Sequence, residues 1–326
     1  MTPPNEPRVL AGPMLLRPGG ASLAAHRSTY GEPPTPSLPD LLAMLGGAGV
    51  RGRGGSGFPI GAKLSGVADQ GGHPPVVVNF GEGEPTSMKD RVLATMHPHL
   101  VLDGAQLMGE VLRSRVIHVV APGEQGHVVD SLRRALGERE GRFSWRLHRA
   151  APRFVAGEGS AVVKLIDGRE NLPVTTWRPT ALDGLRGRPT LLSNAETFAQ
   201  VAALAADPVG YAALGTPEEP GTRLLTVDGD REPWVMEVEH GAPWASVLPP
   251  ESLERPVLLG GYHGTWAPAG VLWGRSVSVR DLADLGLTIG AGVVLPLAPD
   301  TCPLVHTANL VTYLAGQSAR RCGPCL

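Results

Sequence analysis

At 326 residues the chain has room for two domains. Its charge is nearly balanced, with 29 basic and 31 acidic residues, and the basic residues are scattered among few aromatics, so composition argues against nucleic-acid binding. The 43 glycines, 32 prolines and 42% hydrophobic residues indicate a loop-rich globular protein rather than disorder, and no run approaches the ~18 apolar residues of a membrane span.

Residues 1–36 read as an extended N-terminal arm with a short helical piece near 21–26. No basic start followed by an apolar core is present there, so no signal peptide is expected. Ser37 is placed to cap a helix over 38–45, with Pro39 tolerated in its first turn. The glycine-rich stretch RGRGGSGFPIGAK then runs from Arg51 to Lys63. Glycine accepts positive φ and lets backbone approach a ligand closely. Consecutive N–H groups in such a loop can converge on an anion, with Lys63 as a point charge and Phe58 as a flat apolar face. These parts suit a phosphate plus an aromatic ring. Gly52-x-Gly54-x-x-Gly57 also matches the dinucleotide fingerprint, but a helix precedes it where that motif requires a strand. The alternative is a surface loop with no ligand.

Residues 75–79 form a short apolar run, read as a buried parallel strand. Asn79, Glu82 and Glu84 lie at its C-terminal end, where open α/β sheets gather ligands. They suit the hydroxyls of a ribose or ribityl chain, or form a solvated acidic turn. Helical spacing marks 99–112 and 128–139; strands are expected at 116–121 and 145–148. His97 and His99 read as helix-start residues rather than metal ligands. Gly157-Glu158-Gly159-Ser160 opens an apolar helical run, a second place for an anion. Asn194 and Thr197 bond a ligand or cap a helix running to about 206. Beyond a boundary at 216–221 the texture changes to short strands (223–227, 234–239, 257–261 and 293–297) around small helical pieces. That texture predicts an α+β unit of β-grasp type. A helix returns over 306–321, and the chain reads as cut off within a further domain. Cys322 and Cys325, spaced C-x-x-C, point to metal or redox use in a reducing compartment, hence a cytoplasmic location.

Several motifs in this order resemble the family of NADH-binding, 51-kilodalton flavoprotein subunits of NADH-quinone oxidoreductase. They are RGRGGSGFPIGAK, VVNFGEGEPTSMKDR, PHLVLDG, FVAGEGSA, GRPTLLSNAET, the Gly-Gly of LLGGYHG, and LGLTIGAGVVLPLAPDTC. The resemblance covers roughly 22–326. It implies a parallel-sheet α/β domain for FMN and NADH over 37–215, an SLBB-like β-grasp domain over 221–300, and the start of an iron-sulfur helical bundle over 301–326. It also implies FMN held by Gly52, Gly54, Lys63, Asn79, Glu82, Gly157, Glu158, Asn194 and Thr197, with no side chain acting as acid or base. Phe58 and Glu84 stand at NADH positions, but Gly66 and Gly159 replace an aromatic and a glutamate of the family pattern. Weak or absent reduction by NADH is therefore expected. Cys322 and Cys325 match two positions of the 4Fe–4S motif while Ala319 takes the first, so a stable cluster is not expected in this chain alone. Electron-transfer proteins, ferredoxin-like or subunits of a complex peripheral to a membrane, are the implied partners. Other readings are a non-catalytic assembly module that keeps the fold, and an FMN protein reduced by a ferredoxin-like partner.

Overall fold

The computed structural model describes residues 6–141, 143–175, 178–229, 232–321 and 323. In chain order the elements begin with β1 (Arg8–Val9), α1 (Leu23–Tyr30), α2 (Leu38–Gly47), α3 (Ile60–Ala68) and β2 (Val76–Asn79). Next come α4 (Lys89–Met96), α5 (Pro98–Val111), β3 (Val116–Pro122), α6 (Gly126–Gly137), β4 (Ser144–Ala150) and α7 (Gly159–Ile166). Then follow β5 (Leu191–Asn194), α8 (Ala195–Ala206), α9 (Pro208–Ala213), β6 (Thr222–Val227) and β7 (Trp234–Glu239). The remainder are α10 (Pro250–Leu253), β8 (Val257–Leu259), β9 (Thr265–Ala267), α11 (Val279–Ala283), β10 (Val293–Pro296) and α12 (Pro303–Gly316). They fall into two compact units. Of the described residues, one contains those within Gly19–Gly83, Asp90–Pro208 and from Gln317 on; the other contains those up to Pro18 and within Glu84–Lys89 and Val209–Gly316.

The first unit is built on a four-stranded sheet in the order β4-β3-β2-β5, parallel throughout. Helices connect successive strands, as parallel pairing demands. All four residues of β2 are buried, which explains its unbroken Val-Val-Val run. Ser37 caps α2 as its sequence position predicts, its Oγ accepting from Asp40 N at 3.3 Å. Gly104 lets α5 and α8 close up, because a Cβ there would stand 1.9 Å from the Phe198 carbonyl oxygen. One residue earlier, Asp103 accepts from His26 Nε2 at 2.7 Å, Arg27 Nη1 at 2.6 Å and Arg139 Nη2, tying α1 and the end of α6 to α5. Burial alone would raise the Asp103 pKa, but His26, Arg27 and Arg139 hold it well below the usual carboxylate range.

In the second unit a mixed six-stranded sheet runs β1-β7-β6-β10-β8-β9, packed on short helical turns around the fully buried Trp244. The arm seen in sequence is therefore divided: β1 pairs parallel with β7. Behind β1 the chain is held by Glu237, whose Oε2 accepts from the amides of Met14, Leu15 and Leu16 at 3.0, 2.8 and 3.0 Å. Strand β8 ends at Leu259, short of the expected 261, because Gly260 and Gly261 both turn to φ 95°. The last helix spans Pro303–Gly316 rather than 306–321, and Leu304, Val305 and Val311 on it are exposed. Among the described residues no helix is long and apolar enough to cross a membrane.

Candidate functional site

The strand order places a topological switch between β2 and β5. From β2 the chain adds β3 and β4 on one side, then crosses back to put β5 on the other. Ligands of open α/β sheets bind beyond the strand C-termini at such a point. Asn79 and Asn194, the last residues of β2 and β5, are register partners there.

The glycine-rich stretch joins α2 to α3, so it is indeed not a strand-to-helix fingerprint. It closes on itself: Gly52 N donates to Phe58 O at 2.8 Å, and Arg51 bridges Pro59. Gly55 and Gly57 take positive φ, at 109° and 62°, which makes the tight return. The main chain at its tip lies on the start of α8. Arg53 N donates to Thr197 Oγ1 at 2.9 Å, and a Cβ on Gly54 would stand 3.3 Å from Asn194 Cβ. Asn194 caps α8 by accepting from Glu196 N at 3.0 Å, and its Nδ2 donates to Asp90.

Asn79 ties the next two motifs together. Its Nδ2 donates to Gly157 O at 2.8 Å and its Oδ1 accepts from Gly81 N at 2.9 Å. Main chain meets main chain here, since a Cβ on Gly157 would lie 2.9 Å from Gly81 O. Glu82 and Glu158 both serve helix starts. Glu82 accepts from Asp90 N at 2.9 Å and Arg91 N at 3.0 Å in the first turn of α4. Glu158 Oε2 accepts from Ser160 N at 2.8 Å and Ala161 N at 3.1 Å at the head of α7. The N-terminal ends of these helices are thus already furnished with carboxylates.

Lys63, on α3, reaches the same region from below. Its Nζ donates to Leu192 O at 3.0 Å, and among the described residues it forms no ion pair. Burial lowers its pKa. An ammonium has three protons to donate, so this one keeps capacity for an anion. Together, Gly52, Gly54, Lys63, Asn79, Glu82, Gly157, Glu158, Asn194 and Thr197 all belong to the first unit, around one end of one sheet. With the Gly52 and Arg53 amides already donated to Phe58 O and Thr197 Oγ1, the glycine main chain at 54 and the unneutralised Lys63 are what remains to fit a phosphate-bearing group.

The two residues expected at an NADH position fare differently. Phe58 is 51% exposed on the loop. A Cβ at Gly66 would meet nothing within 4 Å, so the position is open to a larger side chain. Glu84 belongs to the second unit, where its Oε2 accepts from Tyr262 N at 2.7 Å. A Cβ on Gly261 would overlap the Glu84 carboxyl, so the Gly-Gly pair is there to receive it. Burial pushes the Glu84 pKa up, opposed by the Tyr262 and His263 amides and by the nearby His263 side chain. Cys322 and Cys325 lie outside the described residues. Among the described residues no group of three or more His, Cys, Asp or Glu is placed to hold a metal ion, and Cys302 is a free, exposed thiol.

Sequence reading missed Asp90 and Arg53. Asp90 is 2% exposed and receives Asn194 Nδ2; Arg53 is 6% exposed and presents its amide to Thr197. The signal for Asp90 was present: an acidic residue in the first turn of a helix whose start Glu82 marks.

Comparison with known proteins bears on this site. Residues 46–203 match the family model described as the Nuo51 FMN-binding domain. The chain is 25% identical to the second F-type subunit of NADH-quinone oxidoreductase from Rhizobium meliloti (strain 1021), with 94% of this chain and 77% of that protein covered. It is 27% identical to the mitochondrial NADH dehydrogenase (ubiquinone) flavoprotein 1 of Dictyostelium discoideum, covering 87% of this chain and 65% of that protein. Among solved structures it superposes on an NAD+-reducing NiFe hydrogenase in the air-oxidized state with a TM-score of 0.82 and 25% identity, over 98% of this chain. The chain spans 56% of that hydrogenase chain.

Proposed function

We propose that this chain, which belongs to the family of F-type flavoprotein subunits of NADH-quinone oxidoreductase and their relatives, is an FMN-holding electron-transfer subunit working with partner subunits. The observation that carries the reading is the seating of the loop tip on the β5–α8 junction: Arg53 N on Thr197 Oγ1 at 2.9 Å and Gly54 against Asn194. That seating sets glycine main chain beside the end of β5, the strand whose Leu192 carbonyl accepts from the Lys63 ammonium. In this reading Gly52 and Gly54 give the cofactor close backbone approach, Lys63 balances its phosphate, and Asn194 and Thr197 fix the loop behind it. Asn79 and Glu82 orient the ribityl chain or ring, and Gly157 and Glu158 line the far side. FMN, when bound, supplies the exchange between a hydride and single electrons. The residues bind and orient it and keep water from its buried edge. The Ser160 hydroxyl donates to the Glu158 carboxylate, but that carboxylate also takes the Ser160 and Ala161 amides as a helix cap, and none of these residues is asked to move a proton.

Two observations favour a donor other than NADH. Phe58 stands without an aromatic companion at Gly66, and the Glu84 carboxylate is engaged by Tyr262. A stacked aromatic contributes about 0.5–1.5 kcal/mol beyond its buried area. We therefore infer a protein donor of ferredoxin-like type. The experiment is to load the full chain with FMN and mix it anaerobically with NADH or with a chemical reductant. Stoichiometric flavin that dithionite bleaches and NADH bleaches weakly is the expected result. Protein that takes up no flavin would defeat the main reading, and fast saturable bleaching by NADH would defeat the second.

A further inference from the structure

The sheet of the first unit carries a second polar cluster, away from the strand ends. Side chains alternate between the faces of a strand. His118 pairs in register with Arg146, and Val120 with His148, so these four share one face. Val120 and Ala150 there form apolar core under α7, together with Val162 and Leu185. His118 and His148 continue the same face. His118 Nδ1 and His148 Nε2 are 2.9 Å apart, and the rings stack with 5.1 Å between centroids. One nitrogen of that contact donates and the other accepts, so the pair shares one proton. His118 is 6% exposed.

Three arginines lie near this pair, Arg146 on the same strand face and Arg186 and Arg188 on the turn after Gly184. Leu185 packs in the same core as Val120 and Ala150, and the two arginines that follow it, Arg186 and Arg188, act electrostatically on His118. Arg186 is held in the left-handed region, at φ 53°, with its N–H donating to Asp167 Oδ2 at 3.2 Å. Burial, then His148, Arg146, Arg186 and Arg188, lower the His118 pKa to about 4. Burial and Arg146 lower that of His148 as well. Asp167 and Asp183 are the carboxylates beside the turn. Among the described residues neither forms an ion pair with Arg146, Arg186 or Arg188, and those three guanidiniums have no ion-pair partner at all. They are not caps for α7 either. The carbonyls of Val163, Lys164 and Leu165 already accept from the amides of Asp167, Arg169 and Gly168. A chain of nearly balanced charge has left three exposed guanidiniums beside a buried and a half-buried imidazole without an ion-pair partner among the described residues.

We propose that His118, His148, Arg146, Arg186 and Arg188 form a binding site for a phosphate-type oxyanion. Guanidinium forks match phosphate oxygens in bidentate geometry, and the imidazole pair supplies N–H donors beneath them. This site is separate from the strand-end site. Helix α7 begins at Gly159 beside the strand-end glycines and ends at Ile166 beside Arg186, and its eight residues span about 12 Å. An arriving dianion replaces the missing counter-charge, so the pair takes up a proton as the anion binds. As pH falls two protonations oppose each other: uptake by the pair favours binding, while addition of the second proton to the phosphate, which comes first, weakens it.

The test uses the full chain saturated with FMN, to occupy the strand-end site, and follows histidine ring resonances by NMR. His118→Gln and His148→Gln assign the signals. Inorganic phosphate and pyrophosphate are titrated at constant ionic strength, the two separating a site for one phosphate group from a site for a diphosphate. Saturable movement of both rings, an upward shift of their apparent pKa, and about tenfold weaker binding in Arg186→Gln/Arg188→Gln are expected. These arginines are exposed, so the double variant folds. Rings that stay still, that move equally with chloride, or that respond unchanged in the double variant would overturn the site. The reading does not depend on which donor reduces the flavin.

Discussion

The glycine loop has two sides, and they are built by different means. On one side the main chain at 53–54 is seated on Thr197 and Asn194, and beyond it Asn79, Glu82 and Glu158 are tied to amides and carbonyls of neighbouring segments. On the other, Phe58 stands half exposed and Gly66 faces open space. A site made of backbone needs only that glycines stay small and that helix starts are capped. A site for a second flat ligand needs bulky side chains, and there this chain has glycine. On the proposed reading, holding a flavin and accepting hydride from a nicotinamide become separable properties of one loop.

The largest expected effect breaks the backbone side. Gly54→Val puts branched carbon where a single Cβ already approaches Asn194 to 3.3 Å. FMN affinity falls by at least about a hundredfold, near 2.7 kcal/mol, measured by flavin retained after reconstitution. The second unit keeps its native circular dichroism, because the loop belongs to the first.

Acid tests the scaffold beneath both sides. Burial first, and cationic or imidazole neighbours next, lower His97, His99 and His118 to about 4 from their ordinary 6.5. Between those values the unfolded chain binds protons that the folded chain does not, so stability is full above about pH 6.5 and declines as pH falls. Asp103, depressed by its cationic partners, extends the loss below its ordinary value of 3.8. The thermal midpoint of apo protein drops by roughly 5 °C or more from pH 7 to pH 5. Gly54→Val drops in parallel, since no histidine touches the loop tip; a pH response altered by that substitution would tie the two together.

Smaller effects divide the loop itself. Lys63→Gln weakens FMN by about tenfold and riboflavin little, as removal of a phosphate counter-charge should; titration of both by flavin fluorescence checks it. Gly66→Phe raises the rate of NADH bleaching by about threefold to tenfold with FMN affinity unchanged, because it adds one ring face in open space. Stopped-flow absorbance reads this, and an unchanged rate would mean that more than stacking is missing.

Much of the fold was legible because it is written locally. The Val76–Val78 run, the alternation into α6 and the caps at Ser37 and Asn194 all carry their signal within a few residues. What stayed hidden depends on distant partners. Strand β5 is four residues between Pro189 and a helix start, and only its pairing with β2 makes it a strand. Helix α4 carries no such local signal, because Asp90, Arg91, Val92 and Leu93 are all buried, which erases the amphipathic stripe. Glu82 and Glu84 show the same limit within the site. Two residues apart in one acidic motif, they go to different units, one to amides of α4 and the other to Tyr262. Nothing local distinguishes them.

Fluorescence titration of the purified apo chain with FMN and with riboflavin is the most direct measurement. Micromolar or tighter FMN, with riboflavin weaker by about a hundredfold, is expected if bared main chain and Lys63 hold the phosphate. Equal affinity for the two flavins, or no quenching by either, would contradict a phosphate cradle at this loop.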